Sequence, residues 1–134
     1  MTLNKNAVKA FSASITLGRN VGYSDTLIDK AAVIAFIQGY QNELIMNKNI
    51  HLSVSLSECE IILSGQREPH LKLNFINYPK FPLSEKQLKE EIEKMAKSLI
   101  EKFEQNRVVI EYPDETIMLE NSGEIDPDII MREY

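Results

Sequence analysis

The segment Ile50–Asp114 most constrains the fold, because one order of elements accounts for its whole length. Three short runs of alternating apolar and polar residues come first, and the last of them stops at Tyr78-Pro79-Lys80. Such alternation is typical of strands with one buried face. A helical pattern follows, and a further strand-like run ends at Asp114. This order predicts a domain in which a helix connects two groups of strands.

The helix in this segment is marked both at its start and along one face. Ser84-Glu85-Lys86-Gln87 is a capping box, in which the serine oxygen accepts from first-turn amides and the glutamine reaches back to the cap. Apolar residues then recur at intervals of three or four, which is the spacing of a helix face that packs on a core. These residues are Leu88, Ile92, Met95, Leu99 and Phe103.

The remaining elements complete two halves with similar patterns. Phe11–Gly18 alternates as a strand, and a helix capped by Asp25 or Thr26 is expected to run to about Met46. Its middle is apolar nearly all round, so we expect it to be covered on more than one side. Further strands are predicted at Ile50–Ser57, Cys59–Ser64, Leu71–Tyr78, Val108–Tyr112 and Thr116–Leu119.

The predicted order is therefore β-α-β-β followed by β-α-β-β. A strand–helix–strand unit within one sheet gives parallel neighbouring strands through a right-handed crossover. We accordingly predict an α+β fold in which two β-α-β units form one sheet with both helices on one face. The 134 residues suffice for one domain. We divide them into an N-terminal leader (1–10), the domain itself (11–120) and an acidic C-terminal tail (121–134).

Composition excludes several classes of function. The net charge of −5 argues against a nucleic-acid surface, and the lysines of Lys80–Lys102 alternate with glutamates as on a solvated helix face. No apolar run of about 18 residues is present, so we predict no membrane span, and the N-terminus does not resemble a signal peptide. Cys59 is the only cysteine, which excludes an intrachain disulfide and favours a cytoplasmic location.

Metal and cofactor chemistry finds little support in the sequence. His51 and His70 are the only histidines, and neither has a cysteine or carboxylate at ligand spacing. Glu58 and Glu60 flank Cys59, and neighbouring carboxylates disfavour a thiolate. We therefore predict no metal site and no cofactor.

Several features of the segment together suggest a family. They are the turn Gly65 with Glu68-Pro69, the lysine at the strand end, the length of the helix, and Arg107-Val108-x-Ile110-x-Tyr112-x-Asp114. In these features the chain resembles the tautomerase superfamily, specifically its macrophage migration inhibitory factor-like branch. The resemblance covers about half the chain and implies two βαβ units and a barrel-like homotrimer with pockets between subunits.

The chain departs from that family at the residues that carry its chemistry. The family's base is an N-terminal proline with a lowered pKa, whereas position 2 here is Thr2 and the first proline is Pro69. Val109 stands where the branch has a pocket tyrosine, and Glu111 stands where it has an asparagine. The family's pocket lysine has its nearest counterpart in Lys48, about two residues away. Proline-dependent tautomerase activity is therefore not expected.

Two functions follow as expectations. We favour a tautomerase-like scaffold without enzymatic activity, in which the serine-rich face of Ile50–Ser57 and the acidic tail mediate assembly or bind a small-molecule or protein partner. The alternative is an isomerase-like enzyme that acts on a small keto or enol acid at a pocket between subunits. Its replacement base would be Glu111 or Lys48. The pocket residues expected in either case are Tyr78, Lys80, Arg107 and Val109.

Overall fold

A computed structural model of the chain describes residues 1–121 and contains five strands and two helices in that range. In chain order they are β1 Ser12–Gly18, α1 Lys30–Lys48, β2 Ser55–Leu63, β3 Gln66–Ile76, α2 Glu85–Lys102, β4 Arg107–Glu111 and β5 Thr116–Glu120. The acidic tail predicted at 121–134 lies outside the described residues after Asn121. Neither α1 nor α2 is long and apolar enough to cross a membrane.

The strands form one open sheet in the order β2-β3-β1-β4-β5, and every neighbouring pair is antiparallel. Strands β1 and β2 run parallel to each other but are separated by β3, and β3 and β4 are separated by β1. Each strand–helix–strand unit is therefore split, as in ferredoxin-like folds. The α+β class is confirmed, whereas the predicted parallel neighbours are wrong. The reason is the β2–β3 hairpin, which inserts β3 beside β1.

The segment between α1 and β2 explains a second difference from the predicted strands. Ile50–Ser57 and Cys59–Ser64 were expected as two strands, but the structure has the single strand β2, and residues 50–54 lie outside the sheet. The side chain of Gln41 on α1 donates a hydrogen bond of 2.8 Å to the carbonyl of Leu52, whose own side chain is buried. The alternation of 50–54 thus reflects contact with the helix and core, not pairing in a ladder.

The β2–β3 hairpin turns at Ser64 and Gly65 and extends beyond the rest of the sheet. Leu63 pairs with Gln66, so the turn has two residues, and Ser64 has a φ of 53° as such turns require. Pairing of β3 with β1 begins only at His70. Residues 60–69 therefore form a two-stranded projection, which we call the hairpin arm. Its exposed apolar side chains are Ile61, Ile62 and Leu63, the last two being 69% and 73% exposed.

Helix α2 matches the prediction from its sequence. The Ser84 capping box is present, with the serine oxygen accepting from the amide of Gln87 at 3.1 Å. The predicted apolar stripe is buried, and Phe103 caps the C-terminus with 8% exposure. The buried strand residues that share the core with α2 occupy one face of the sheet; among them are Ile15, Leu71, Leu73 and Ile110. Neither α1 nor α2, the helices of residues 1–121, packs on the other face, which we call the open face.

Helix α1 begins later and is less covered than the sequence suggested. Asp29 is the N-cap, because the segment around Asp25 and Thr26 folds into a tight loop in which the amide of Val21 donates to the carbonyl of Thr26. Of the apolar residues of α1, one stripe is buried. Ile34, Ile45 and Met46 stay exposed. The coverage expected on more than one side is therefore not provided by the described part of this chain.

Candidate functional site

One end of the domain carries two of the candidate residues, Tyr78 and Lys80, in the loop between β3 and α2. The start of β1 pairs with the end of β3, so the leader, the β3–α2 loop and the start of α2 meet there. Asn77 fixes this junction: its Oδ1 accepts from the amide of Leu83 at 3.0 Å, and its Nδ2 donates to the carbonyl of Lys9 at 2.9 Å. A cavity of about 260 Å³ opens beside Asn77. It is lined by Lys9, Ala10, Phe11, Asn77, Leu83, Ser84, Glu85 and Leu88.

Tyr78 and Phe81 of the β3–α2 loop form a group of stacked rings with His51 of the α1–β2 segment, which we call the aromatic cluster. The imidazole of His51 lies nearly parallel to the ring of Phe81, with centroids 3.9 Å apart, and Tyr78 stacks on Phe81 at 6.2 Å. Lys80 places its Nζ 5.5 Å from the centroid of Phe81. Aromatic faces attract cations and stack on other planar rings. The cluster is thus suited to a ligand with a cationic centre and a planar base.

A second cavity, which we call the Lys48 cleft, lies between the end of α1 and α2. It measures about 170 Å³ and is lined by Tyr40, Glu43, Leu44, Asn47, Lys48 and Glu91. The side chain of Glu91 is 5% exposed, and its Oε1 lies 3.2 Å from Nζ of Lys48. Its Oε2 is buried and has no hydrogen-bond partner within the described range. Burial, and then the nearby Glu91 carboxylate, raise the pKa of the Tyr40 phenol, which therefore stays protonated.

The candidate residues on β4 lie elsewhere. Glu111 projects from the open face, where its carboxylate is 3.9 Å from Nζ of Lys72 and about half exposed. Lys48 lies on the helical side of the sheet and contacts Glu91 instead. Arg107 begins β4 and Glu111 ends it, a separation of roughly 13 Å at about 3.3 Å per strand residue. Val109 lies between them on the open face.

The structure thus brings Tyr78 and Lys80 together at the ring of Phe81, whereas Arg107 and Glu111 lie at opposite ends of β4. Reasoning from the sequence missed His51 and Phe81 as members of the same group. The available signal was Phe81 itself, an aromatic residue between Pro79 and Pro82, outside any core-facing stripe. In the part of the chain that the structure describes, no three His, Cys, Asp or Glu side chains cluster as metal ligands would.

Comparison with known proteins finds similarity at the level of structure. No protein-family model matches the chain, and no curated protein matches it. A phage SAM lyase in complex with S-methyl-5'-thioadenosine is similar in fold, with a TM-score of 0.65 and 18% identity over 93% of this chain and 100% of that chain. A phage SAM lyase in its apo state gives a TM-score of 0.67 and 21% identity over 90% of this chain and 98% of that chain.

These similarities correct the family suggested by the sequence. The resemblance to the tautomerase superfamily is wrong, because the structural neighbours belong to a different family and no comparison supports tautomerase. The spacing of the resembling features from Gly65 to Asp114 reflects the common order of hairpin, helix and strand. The non-enzymatic assembly module inferred from it is wrong as well, since it rested on the missing N-terminal proline and the neighbouring structures are lyases.

Proposed function

We propose that this chain is an enzyme that cleaves S-adenosylmethionine (SAM), or a closely related adenosyl sulfonium, and releases S-methyl-5'-thioadenosine. The observation that carries this proposal is the similarity of fold to a SAM lyase over nearly the whole of both chains. A match of this extent leaves the same elements available to form a site. In this proposal a sulfonium substrate replaces the keto or enol acid that was considered from the sequence.

The reaction breaks the bond between the sulfur and the γ-carbon of the methionyl chain. The electron pair stays on sulfur, so the sulfonium leaves as a neutral thioether. The four-carbon fragment then completes its valence in one of two ways. Its own carboxylate oxygen bonds to the γ-carbon and closes a lactone, or a base removes the proton on the β-carbon and an alkene forms. Neither route consumes water or a second substrate, which distinguishes a lyase from a hydrolase.

The aromatic cluster is suited to this substrate for two reasons. The rings of Phe81 and Tyr78 offer faces that attract a sulfonium and stack on adenine. A weakly polar surface also favours the lactone route, because a carboxylate and a sulfonium lose their charges together in the transition state. Lys80, which lies over Phe81, would exchange places with the substrate cation.

The two replacement bases considered from the sequence differ in their availability. Lys48 donates to the buried carboxylate of Glu91, which keeps the amine protonated, so that little of the free amine needed for a general base is present at neutral pH. The carboxylate of Glu111 lies 3.9 Å from Nζ of Lys72 and is about half exposed on the open face. If the alkene route operates, Glu111 is therefore the better candidate of the two, and because it lies on the open face and not in the aromatic cluster, it would act from a neighbouring copy of the chain.

We further propose that the complete pocket forms between copies of the chain in a homotrimer. The two cavities of about 170 and 260 Å³ are smaller than the roughly 300–1,000 Å³ of typical ligand pockets. Exposed apolar side chains on the hairpin arm and on the outer face of α1 are suited to contacts with another copy. A two-stranded projection such as the arm is also marginal when alone in water. The lone thiol of Cys59 accords with a cytoplasmic location.

The test is to incubate the intact protein with SAM and to follow thioadenosine and the four-carbon product by liquid chromatography and mass spectrometry. Phe81→Leu keeps an apolar side chain but removes the ring. It is expected to lower kcat/KM about tenfold or more, the worth of one base–aromatic stack. Tyr23→Leu is the matched control, because Tyr23 is an exposed loop aromatic outside the aromatic cluster and the cavities.

Equal values of kcat/KM for Phe81→Leu and Tyr23→Leu would show that the aromatic cluster is not part of the site. That result would not contradict the activity of the intact protein. Glu111→Gln separates the chemical routes, since it should abolish alkene formation and leave lactone formation intact. Sedimentation of the intact protein tests the assembly independently. A monomer at micromolar concentration would contradict the homotrimer.

A further inference from the structure

We propose that the Lys48 cleft binds the ammonium and carboxylate groups of a small α-amino acid. The inference starts from Glu91, whose side chain is almost fully buried and whose Oε2 lacks a hydrogen-bond donor among the residues described. A buried carboxylate oxygen without a donor is costly, and such oxygens are rare in folded proteins. Glu91 lines the cavity, and a small rotation of its carboxylate would turn Oε2 toward a ligand in the cleft, which could then supply the missing donor.

The charges around the cleft define what that ligand must be. Helix α1 contributes Tyr40, Glu43 and Lys48, and helix α2 contributes Glu91. Lys94, also on α2, places its Nζ 3.7 Å from Oε1 of Glu91. A simple anion would be repelled by the two carboxylates, and a simple amine would be repelled by the two ammonium groups. A zwitterion avoids both conflicts, because its ammonium can donate to Oε2 of Glu91 while its carboxylate faces Lys48.

The remaining walls set the size and orientation of the ligand. The volume of about 170 Å³ exceeds that of one water several times over, since a water occupies about 30 Å³ of liquid. A water could also donate to Oε2, but the cleft has room for a larger ligand. Asn47 offers an amide and the protonated Tyr40 phenol offers a donor for a carboxylate. Leu44 gives an apolar wall that suits a short side chain. This site is independent of the proposed lyase activity.

The test uses small L-amino acids, namely L-alanine, L-serine and L-homoserine, added to the intact protein in the absence of SAM. Binding is followed by titration calorimetry and by amide chemical shifts, which report on the folded wild-type chain directly. We expect low-millimolar or tighter binding of at least one of them, with shifts concentrated at the end of α1 and around Glu91. Propionate lacks the ammonium and ethylamine lacks the carboxylate, so each should bind about tenfold or more weakly than L-alanine.

Variants identify the groups that bind the ligand. Glu91→Gln and Lys48→Met should each weaken binding about tenfold or more, whereas Lys97→Met, on the exposed side of the same helix α2, should leave it unchanged. Circular dichroism confirms that each variant is folded. If no amino acid moves the amide signals of the cleft, or if propionate and ethylamine bind as well as L-alanine, the proposal is overturned, whatever the result of the SAM assay.

Discussion

Truncation of Leu99 tests the packing of α2 against the sheet. Its side chain is fully buried in the middle of the stripe that runs from Leu88 to Phe103. Leu99→Ala removes Cγ and both Cδ atoms, for which the transfer term alone is about 2.4 kcal/mol at about 0.8 kcal/mol per buried carbon. The cavity that remains raises the loss of unfolding free energy to about 2.7–5 kcal/mol.

The assay is equilibrium unfolding in urea, followed by circular dichroism at several protein concentrations so that any assembly is accounted for. We expect a lower midpoint with an unchanged slope, since the surface exposed on unfolding is nearly the same. Lys97→Ala, on the exposed face of the same helix, controls for helix propensity and should change stability by less than about 0.5 kcal/mol. A loss below about 1 kcal/mol for Leu99→Ala would show that this face of α2 is not packed as described.

Two further substitutions probe local features. Gly39→Ala should raise the unfolding free energy by roughly 0.5–1 kcal/mol in urea titrations, because Gly39 lies inside α1 and an added Cβ would meet nothing within 4 Å. A loss of stability would show that the space around Gly39 is not open. The Lys89 ammonium lowers the pKa of Asp114 by hydrogen bonding. The resulting stability is present above the unfolded pKa near 3.8 and is lost as pH falls through the lower folded pKa. Asp114→Asn should therefore be less stable than the wild type at neutral pH, and the difference should shrink in acid; a gap that is constant with pH would refute the pairing.

Local signals in the sequence predicted the second half of the fold well. The Ser84 capping box and the apolar spacing from Leu88 to Phe103 are short-range patterns, and the structure reproduces both. The strand β4 also appears where alternation placed it, one residue earlier at its start. These elements could be predicted because the residues that specify them are neighbours along the chain.

The features that failed depend on contacts between distant segments. Alternation in residues 50–54 indicated a strand, but the side chain of Gln41 and burial of Leu52 hold that segment outside the sheet. Nothing local distinguishes adjacent parallel strands from the split arrangement that the β2–β3 hairpin produces, and this ambiguity also made the family resemblance misleading. The candidate sites share the difficulty. In the sequence, nothing distinguishes Glu91 from the other glutamates of this charged helix. Only the fold shows that Lys48 of α1 lies beside it.

The most direct test of the proposed function is a time course of SAM breakdown by the intact, purified protein at neutral pH. Proton NMR follows the substrate, the thioadenosine and the four-carbon product together in one sample. Because SAM also decomposes slowly by itself, heat-denatured protein at the same concentration provides the baseline. We predict thioadenosine formation at a rate proportional to the concentration of folded protein and well above that baseline. Formation no faster than the baseline, by protein that circular dichroism shows to be folded, would contradict the assignment as a lyase.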